Sequence, residues 1–251
     1  MKSPCTRSHT LSGLIFPPPA DRGPAPAFMH QTEKDLVRIY RRRFAASAAY
    51  RWQVWSVLTR HFFQRWIPVD ATVLDLGCGY GEFINQIQAG RKLAMDLNPE
   101  VPEHLAADVE FLRQDCAAEW PLPPDALDVV FTSNFFEHLP DKLRLTQTLH
   151  QILRCLKPGG RLIAMGPNIR YLPGVYWDFY DHHIVLTEAS LGEGLEMAGF
   201  ELEYVRARFL PYTIVNVHRY PLWMVRLYLS LPLAWRIKGR QFLIVGRKPS
   251  P

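Results

Sequence analysis

The fold of this chain is decided at residues 73–83, which read Val73-Leu74-Asp75-Leu76-Gly77-Cys78-Gly79-Tyr80-Gly81-Glu82-Phe83. An apolar run leads directly into three glycines at alternate positions, and a segment with a helical pattern follows at residues 82–88. Glycines at such a turn let the backbone bend tightly and approach a ligand, because no Cβ atoms stand in the way. The stretch therefore predicts a β-strand, a ligand-binding loop and the start of a helix in succession.

Further strands and helices alternate around this loop. Helical periodicity marks residues 141–156 and residues 187–198, where Thr187 fits an N-cap and Gly199 a stop. Short buried strands that alternate with helices form a mostly parallel sheet with helices on both faces. We therefore predict a Rossmann-like α/β fold with a seven-stranded, mostly parallel sheet. Its strands are predicted at residues 71–76, 92–97, 109–113, 127–132, 161–165, 200–210 and 241–247.

The rest of the chain is predicted to extend this core. Residues 1–28 are rich in Pro, Ser and Gly and lack periodicity, so we expect a disordered N-terminal tail. Residues 29–70 are predicted to form a helical lead-in. The α/β domain then occupies residues 71–251, and residues 212–238 within it form an apolar insertion before the last strand.

Charge is distributed unevenly along the chain. The net charge is +7 over residues 1–70, −9 over residues 71–200 and +7 over residues 201–251. The basic ends indicate an anionic partner or, alternatively, solvated Arg-rich helices. The four cysteines show neither C-x-x-C nor metal-ligand spacing, which is typical of free thiols in a reducing compartment. Because neither a signal-peptide core nor a membrane-spanning apolar segment is visible, we predict a cytoplasmic protein.

Acidic residues near the strand ends indicate the charge of the ligand. Asp75 precedes the glycine loop, where an anion would repel a pyrophosphate but suit a cationic ligand. Glu82 stands where the dinucleotide pattern G-x-G-x-x-G needs its third glycine. Asp96 follows the second strand, 21 positions after Asp75, where an acid in such folds takes a ribose hydroxyl pair.

Together with later motifs, these residues resemble the class I S-adenosylmethionine-dependent methyltransferases. The resemblance covers roughly residues 71–210, including Gln114-Asp115-Cys116, residues 128–139 and Lys157-Pro158-Gly159-Gly160. It implies a methyltransferase with S-adenosylmethionine as its cofactor. The alternative is a dinucleotide enzyme or a cofactor-free relative of the same fold, and Glu82 argues against the dinucleotide enzyme.

The resemblance implies roles for residues at the first two strand ends. Gly77, Gly79 and Gly81 would let the loop pass under the methionine part of the cofactor. Asp75 would lie near the cofactor's ammonium group, directly or through water. Asp96 would bind both ribose hydroxyls.

The ends of the third and fourth strands complete the implied cofactor site. Asp115 would accept a hydrogen bond from the adenine amino group, with Cys116 beside the ring. Ser133 and Asn134 would face the sulfonium. Amino-directed nucleic-acid methyltransferases usually carry Asn/Asp-Pro-Pro-aromatic at this place. The chain instead has Ser133-Asn134-Phe135-Phe136, which argues against DNA or RNA bases as acceptors.

The acceptor side is expected in residues 167–186, which follow the fifth strand at the ligand-binding edge of the sheet. Methyl transfer to an aliphatic hydroxyl needs a base that removes the proton. His183 or His182 is the predicted base, with Asp181 orienting the histidine. Alternatively, one histidine caps the next helix and the neighbouring aromatic side chains pack as a lid.

The pair Glu137-His138 is a second candidate for chemistry. Quinone-biosynthesis O-methyltransferases resemble this region but have a Glu at the position of Asn134, and they use the acids and the His to bind a divalent ion. Asn134 removes one charged ligand, so we predict no metal. In the alternative, Glu137 and His138 only help to close the strand-to-helix turn.

The acceptor class follows from a further resemblance, to bacterial methyltransferases associated with polysaccharide or glycolipid assembly. This implies O-methylation of a small-molecule, sugar or glycolipid acceptor. Two alternatives stay open: an RNA methyltransferase that grips phosphates with its basic ends, and a non-catalytic, membrane-peripheral partner that retains the fold. Residues 212–238, which carry Trp223, Tyr228 and Trp235, predict either an aromatic lid or a helix in the interface at the inner face of the membrane.

Overall fold

The computed structural model describes residues 37–41, 47–212 and 219–250, and the predicted tail at residues 1–28 lies outside them. The strands that form its one sheet are β1 (Thr72–Leu76), β2 (Arg91–Met95), β3 (Val109–Leu112), β4 (Leu127–Ser133), β5 (Leu156–Pro167), β6 (Glu201–Arg206) and β7 (Gln241–Arg247). Their order is β3-β2-β1-β4-β5-β7-β6, and within this described sheet only β7 runs antiparallel to its neighbours. The predicted Rossmann-like, seven-stranded and mostly parallel fold is confirmed.

Besides the helical residues 37–41, the α-helices in the described ranges are α1 (Ala48–His61), α2 (Lys142–Cys155), α3 (Glu188–Ala198), α4 (Leu222–Leu229) and α5 (Pro232–Lys238). At the start of α2, the Asp141 carboxylate accepts a hydrogen bond from the Arg144 N–H at 2.8 Å. At α3, Thr187 and Ser190 form a reciprocal capping box, and Gly199 ends the helix with φ 103°. None of the helices in the described part of the chain is both long and apolar enough to cross a membrane.

Both faces of the sheet are buried, because neighbouring side chains along a strand point to opposite sides. On β1, Leu74 joins an apolar core that includes residues of α2 and α3. Val73 joins a second core that includes residues of α1, α4 and α5. The parallel strands β1–β5 all end at one edge of the sheet, and the connections that leave this edge carry the predicted site residues.

Residues 82–88 form a series of turns and not the regular helix that the sequence predicts. The Gln86 side-chain amide donates to the Glu82 carbonyl at 2.8 Å. In a regular helix that carbonyl would bind the Gln86 N–H, which instead donates to the Phe83 carbonyl. A side chain thus takes the place of the backbone donor, and the helix prediction here is wrong.

The strand predicted at residues 200–210 is also shorter, since β6 ends at Arg206. The next carbonyl, that of Ala207, accepts a hydrogen bond from the Asn168 side chain at 2.9 Å. Asn168 is fully buried at the carboxyl end of β5. The chain therefore leaves the sheet at this point and enters the long connection that contains α4 and α5.

Aromatic side chains hold the lead-in on one face of the sheet. The Phe63 ring lies 5.1 Å from that of Phe131 on β4, between ring centres. Phe62 stacks on Phe209 at 4.4 Å, and Trp235 of α5 lies 5.1 Å from Phe209. Because these rings contact one another, α1 and α5 share one packed layer.

Candidate cofactor and active site

The glycine loop after β1 depends on backbone angles that favour glycine. Gly77, Gly79 and Gly81 have φ of 67°, 56° and 73°. At Gly77 the space is also closed, since a Cβ atom would lie 2.3 Å from the Phe135 ring. The Gly77 N–H donates to the Met95 carbonyl at 2.9 Å, so the loop is fixed against the end of β2.

Buried acids surround this loop. Asp75 is 3% exposed and accepts a hydrogen bond from the Ile84 N–H. Burial, and then the neighbouring charges of Glu82 and Asp96, raise the pKa of Asp75 well above its usual range. A cation placed among these acids would favour their ionised forms. The electrostatics of the loop therefore suit a cationic ligand.

Asp96, the predicted ribose-binding residue, already holds several protein donors. Its carboxylate accepts hydrogen bonds from the Gly79 N–H at 3.0 Å and the Asn98 N–H at 2.9 Å. The Tyr40 hydroxyl, from the helical residues 37–41, donates to it at 3.2 Å. Burial raises the pKa of Asp96 in spite of these bonds. Sequence reasoning missed Tyr40, whose only signal was its place in the helical periodicity of the lead-in.

Asp115 and Cys116 follow β3, as predicted, and protein groups contact both. Arg144 of α2 forms an ion pair with the Asp115 carboxylate, which also accepts from the Ala117 N–H at 3.0 Å. The Thr148 hydroxyl donates to the Cys116 sulfur at 3.4 Å. Burial raises the pKa of Cys116 to about 11, so this residue is a neutral thiol at pH 7. A neutral, buried thiol suits packing beside a ring.

Ser133 and Asn134 lie at the end of β4. Asn134 has φ 51°, which is uncommon for a residue other than glycine. Its side-chain amide donates to the Ser133 hydroxyl at 3.1 Å, and its N–H donates to the Met165 carbonyl at 2.8 Å. Its Oδ1 is buried and has no hydrogen-bond partner among the described residues. A buried acceptor in strained backbone is typical of a position that faces a ligand.

A second group of residues joins the turn after β4 to the loop after β5. We call it the histidine cluster, and it consists of Glu137, His138, Asp181 and His182. His138 Nδ1 lies 3.2 Å from the Asp181 carboxylate and 3.0 Å from the Asp181 carbonyl oxygen. The rings of His138 and His182 are 5.0 Å apart between their centres. Burial alone would lower the pKa of His138, but the hydrogen bond that its ring donates to Asp181 and the charge of Glu137 raise it.

The two predicted bases have different surroundings. His182 is buried, 5% exposed, within the histidine cluster. The His183 side chain is exposed, and its N–H donates to the Glu137 carbonyl at 2.9 Å. Asp181, predicted to orient His182 or His183, has its carboxylate against His138. The backbone hydrogen bond from His183 joins the predicted bases in the loop after β5 to the pair Glu137-His138 in the turn after β4.

The histidine cluster also has the composition of a metal site. One possible ligand atom each from Glu137, His138 and His182 lie within 4.8 Å of one another. Our prediction of no metal rests on Asn134, where related enzymes supply an acid. It did not include His182, which the fold adds as a third possible ligand. The absence of a metal therefore stays a prediction.

The comparisons with known proteins agree on a family. A family model described as "Methyltransferase domain" matches residues 42–205. A Mycolicibacterium smegmatis protein named "Probable S-adenosylmethionine-dependent methyltransferase" is 35% identical over 137 residues, which are 52% of each chain. Demethylmenaquinone methyltransferase of Lactiplantibacillus plantarum is 32% identical over 131 residues, 46% of this chain and 54% of that protein. The chain spans about half the length of these curated relatives.

Solved structures share the fold at lower identity. One is a chain from the complex between the Haloferax volcanii Trm112 methyltransferase activator and its candidate methyltransferase. It has a TM-score of 0.63 at 22% identity, over 87% of this chain and 98% of that one. A SAM-dependent methyltransferase from Archaeoglobus fulgidus has a TM-score of 0.61 at 22% identity, over 85% and 100%. The chain belongs to the family of class I S-adenosylmethionine-dependent methyltransferases.

The cofactor of this family is S-adenosylmethionine, and the residues of this chain fit it. The cofactor carries positive charge on its sulfonium and ammonium groups, which suits the acid-rich loop at Asp75 and Asp96. The Asn134 Oδ1, buried without a partner among the described residues, provides a further acceptor. Of the three left-handed glycines, Gly79 leaves room for a ligand above the loop, since the nearest atom to an added Cβ would be 3.7 Å away.

Proposed function

We propose that this chain transfers the methyl group of S-adenosylmethionine to a hydroxyl group of a small-molecule, sugar or glycolipid acceptor, with the histidine cluster as the base. The observation that carries this proposal is the 3.2 Å contact between the Asp181 carboxylate and His138 Nδ1, beside the buried His182. A carboxylate on one ring nitrogen fixes the imidazole and raises its basicity. The other ring nitrogen is then placed to accept a proton.

The cofactor side requires mainly positioning. When bound, S-adenosylmethionine supplies an electrophilic methyl carbon on a positively charged sulfur. Asp75 would favour the cofactor's positive end, Asp96 would hold the ribose and Asp115 the adenine amino group. Ser133 and Asn134 would face the methyl-bearing sulfur. Holding an acceptor oxygen in line with the sulfur–carbon bond is worth several kcal/mol, about 7 or more in well-oriented systems.

The acceptor side explains why a base is present. As the new oxygen–carbon bond forms and the carbon–sulfur bond breaks, the hydroxyl proton passes to an imidazole of the cluster. An acceptor that is already ionised would need no such group. Three relatives are named for small-molecule substrates, demethylmenaquinone, trans-aconitate and 2-methyl-6-phytyl-1,4-hydroquinone, which supports a small acceptor. Of the predicted bases, the burial of His182 in the cluster supports it over His183.

The test combines cofactor binding with turnover. Calorimetry measures the affinity for S-adenosylmethionine, and S-adenosylhomocysteine release measures turnover with a panel of phenols, monosaccharides and lipid-linked sugars. We expect His138→Ala or His182→Ala to lower turnover by about 10²-fold or more with unchanged cofactor affinity. His183→Ala, at the exposed neighbouring position, is the matched control.

Several outcomes would overturn the proposal. Loss of turnover in His183→Ala alone would move the base to that exposed histidine. Full turnover in all three variants would mean that no histidine acts as a base. Methylation of RNA with steep salt dependence would favour the RNA alternative. No binding of S-adenosylmethionine at all would favour a non-catalytic partner that retains the fold.

A further inference from the structure

The surface of α4 and α5 concentrates exposed apolar side chains. Sixteen large hydrophobic side chains are exposed in the described part of the chain, and seven of them fall within residues 220–237. They are Tyr220, Trp223, Met224, Leu227, Leu231, Leu233 and Ile237. Trp223 is 65% and Leu233 69% exposed. We call this surface the α4–α5 face. Exposed apolar side chains concentrated on two neighbouring helices indicate an interaction site, because soluble monomers rarely expose large apolar patches.

The opposite side of the same helices is well packed. Leu229 and Trp235 are buried in the core that includes α1. The Trp235 Nε1–H donates to the Tyr228 carbonyl at 2.7 Å, and the Tyr228 hydroxyl donates to the Phe209 carbonyl at 2.5 Å. The helix pair is thus fixed on the domain through one side. The side chains on the other side of the helices are exposed and are not packed against the domain.

The charge of the α4–α5 face is of one sign. Residues 204–251 contain no Asp or Glu. Four exposed cations accompany the apolar side chains, Arg219, Arg226, Arg236 and Lys238. Arg60, at the end of α1, extends the basic region. Burial, and then the charges of Arg226 and Arg60, lower the pKa of His61, as expected where positive charge accumulates.

A groove beside this face combines the two properties. It has a volume of about 420 Å³ and lies between α1 and the start of α4. Trp52 and Leu222 line its apolar part, whereas Arg60 and His61 line its basic part. Hydrocarbon next to phosphate is the chemistry of a phospholipid. A folded protein partner would need an acidic and apolar surface to match, but an anionic bilayer offers both everywhere.

We infer that the α4–α5 face docks this protein on a bilayer surface that contains anionic lipids. The helices would lie in the interface, with Trp223 and Leu227 among the headgroups and the Arg and Lys side chains at the phosphates. α5 leads into Gln241, which pairs with Pro167 at the carboxyl end of β5. The C-terminal end of α5 therefore lies near the edge of the sheet that carries the site. Docking through this face does not depend on which hydroxyl the protein methylates.

The test is flotation of the full chain with vesicles of phosphatidylcholine, with and without phosphatidylglycerol. We expect binding to the anionic vesicles that weakens as salt is raised. Trp223→Ser/Leu227→Ser and Arg226→Glu/Arg236→Glu should each reduce it by about tenfold or more. Leu143→Ser is the matched control, because Leu143 is 65% exposed on α2, which packs on the other face of the sheet from α4 and α5. Trp235 is unsuitable for substitution, because it is part of the core.

The Tm of each variant is compared with that of the wild type, so that a loss of vesicle binding can be distinguished from a loss of fold. Equal binding to both vesicle types would overturn the electrostatic part of the inference. Absence of binding to either type would overturn the inference as a whole. If the unbound protein then self-associates in sedimentation, and Trp223→Ser/Leu227→Ser abolishes that association, the occupant of the face is a second copy of the chain.

Discussion

The Tyr40 hydroxyl donates a hydrogen bond to the Asp96 carboxylate at 3.2 Å, across 56 positions of the chain. The Tyr40 ring also lies edge-on to Tyr80, 5.6 Å between ring centres. The helical residues 37–41 thus contact the cofactor loop directly. Asp96 also accepts hydrogen bonds from two backbone N–H groups. Its carboxylate can therefore accept from both ribose hydroxyls only if the hydrogen bond from Tyr40 is broken.

Replacement of Asp96 tests the cofactor site itself. Asp96→Asn removes the charged acceptor of the ribose hydroxyls, and hydrogen bonds to charged groups contribute about 1.5–3 kcal/mol. We therefore expect calorimetry to show cofactor affinity weakened by about ten- to a hundredfold. Asp108→Asn, at an exposed acid on the surface, should leave affinity unchanged. Unchanged affinity in a folded Asp96→Asn variant would remove the assignment of this residue.

Replacement of Tyr40 tests the exchange at Asp96. Tyr40→Phe keeps the ring contact with Tyr80 but removes the hydroxyl that the ribose must displace. We expect cofactor affinity to rise about two- to tenfold, because one hydrogen bond of about 0.5–1.5 kcal/mol no longer has to break. Tyr180→Phe, at a side chain 98% exposed, serves as the control. A fall in affinity would mean that the hydroxyl contributes to binding.

The sheet and the cofactor loop were predictable because their signals are local. An apolar strand, the glycines from Gly77 to Gly81 and the acid at Asp96 each mark a strand end within a few residues. Parallel strands then bring these ends to one edge by topology alone. The local pattern gave a wrong prediction at residues 82–88, because a single side chain competes there for a backbone carbonyl.

The histidine cluster was only partly predictable, because its members are distant in sequence. His138 and Asp181 are 43 positions apart, and no local pattern pairs them. The bond from the His183 N–H to the Glu137 carbonyl, which brings them together, uses backbone atoms that every residue has. The engagement of Asp96 by Tyr40 likewise arises from a long-range contact. Sequence reasoning could name the residue types but not their partners.

The pH dependence of turnover tests whether His138 acts as the base. Its pKa is raised by Asp181 and Glu137 against the effect of burial, and a base acts in its neutral form. We expect kcat/KM to rise with pH through a value above about 6.5, the ordinary pKa of histidine, and then to level off. Asp181→Asn should shift the rise to lower pH. Asp178→Asn, at an exposed acid nearby, should keep the wild-type profile; an identical profile in both variants would contradict the role of Asp181.

Removal of divalent ions tests the prediction that the cluster works without a metal. Asn134 supplies no charge where a metal site would profit from one, so dialysis against a chelator should leave turnover unchanged. Added Mg²⁺, Mn²⁺ or Zn²⁺ should likewise have no activating effect. Loss of turnover on dialysis that one of these ions restores would instead assign Glu137, His138 and His182 as ligands.

Substitution of Asp75 tests whether its buried charge destabilises the protein without cofactor and favours binding of a cation. Burial and the nearby acids raise its pKa in the folded protein. An acid with a raised folded-state pKa contributes stability below its unfolded pKa of about 3.9, and this stability is lost as the pH rises through the folded-state pKa.

Asp75→Asn keeps a neutral acceptor for the Ile84 N–H. Without cofactor, its Tm should match the wild type near about pH 4 and exceed it by a few degrees near about pH 8. With S-adenosylmethionine bound, the Tm difference between the variant and the wild type should shrink or reverse, because only the wild type offers an anion to the bound cation. Without cofactor, the Tm of Asp108→Asn near about pH 8 should lie below that of the wild type, because the hydrogen bond from Lys92 lowers the pKa of Asp108. An Asp75→Asn variant less stable than the wild type near about pH 8 would show that the buried charge is not destabilising in the absence of the cofactor.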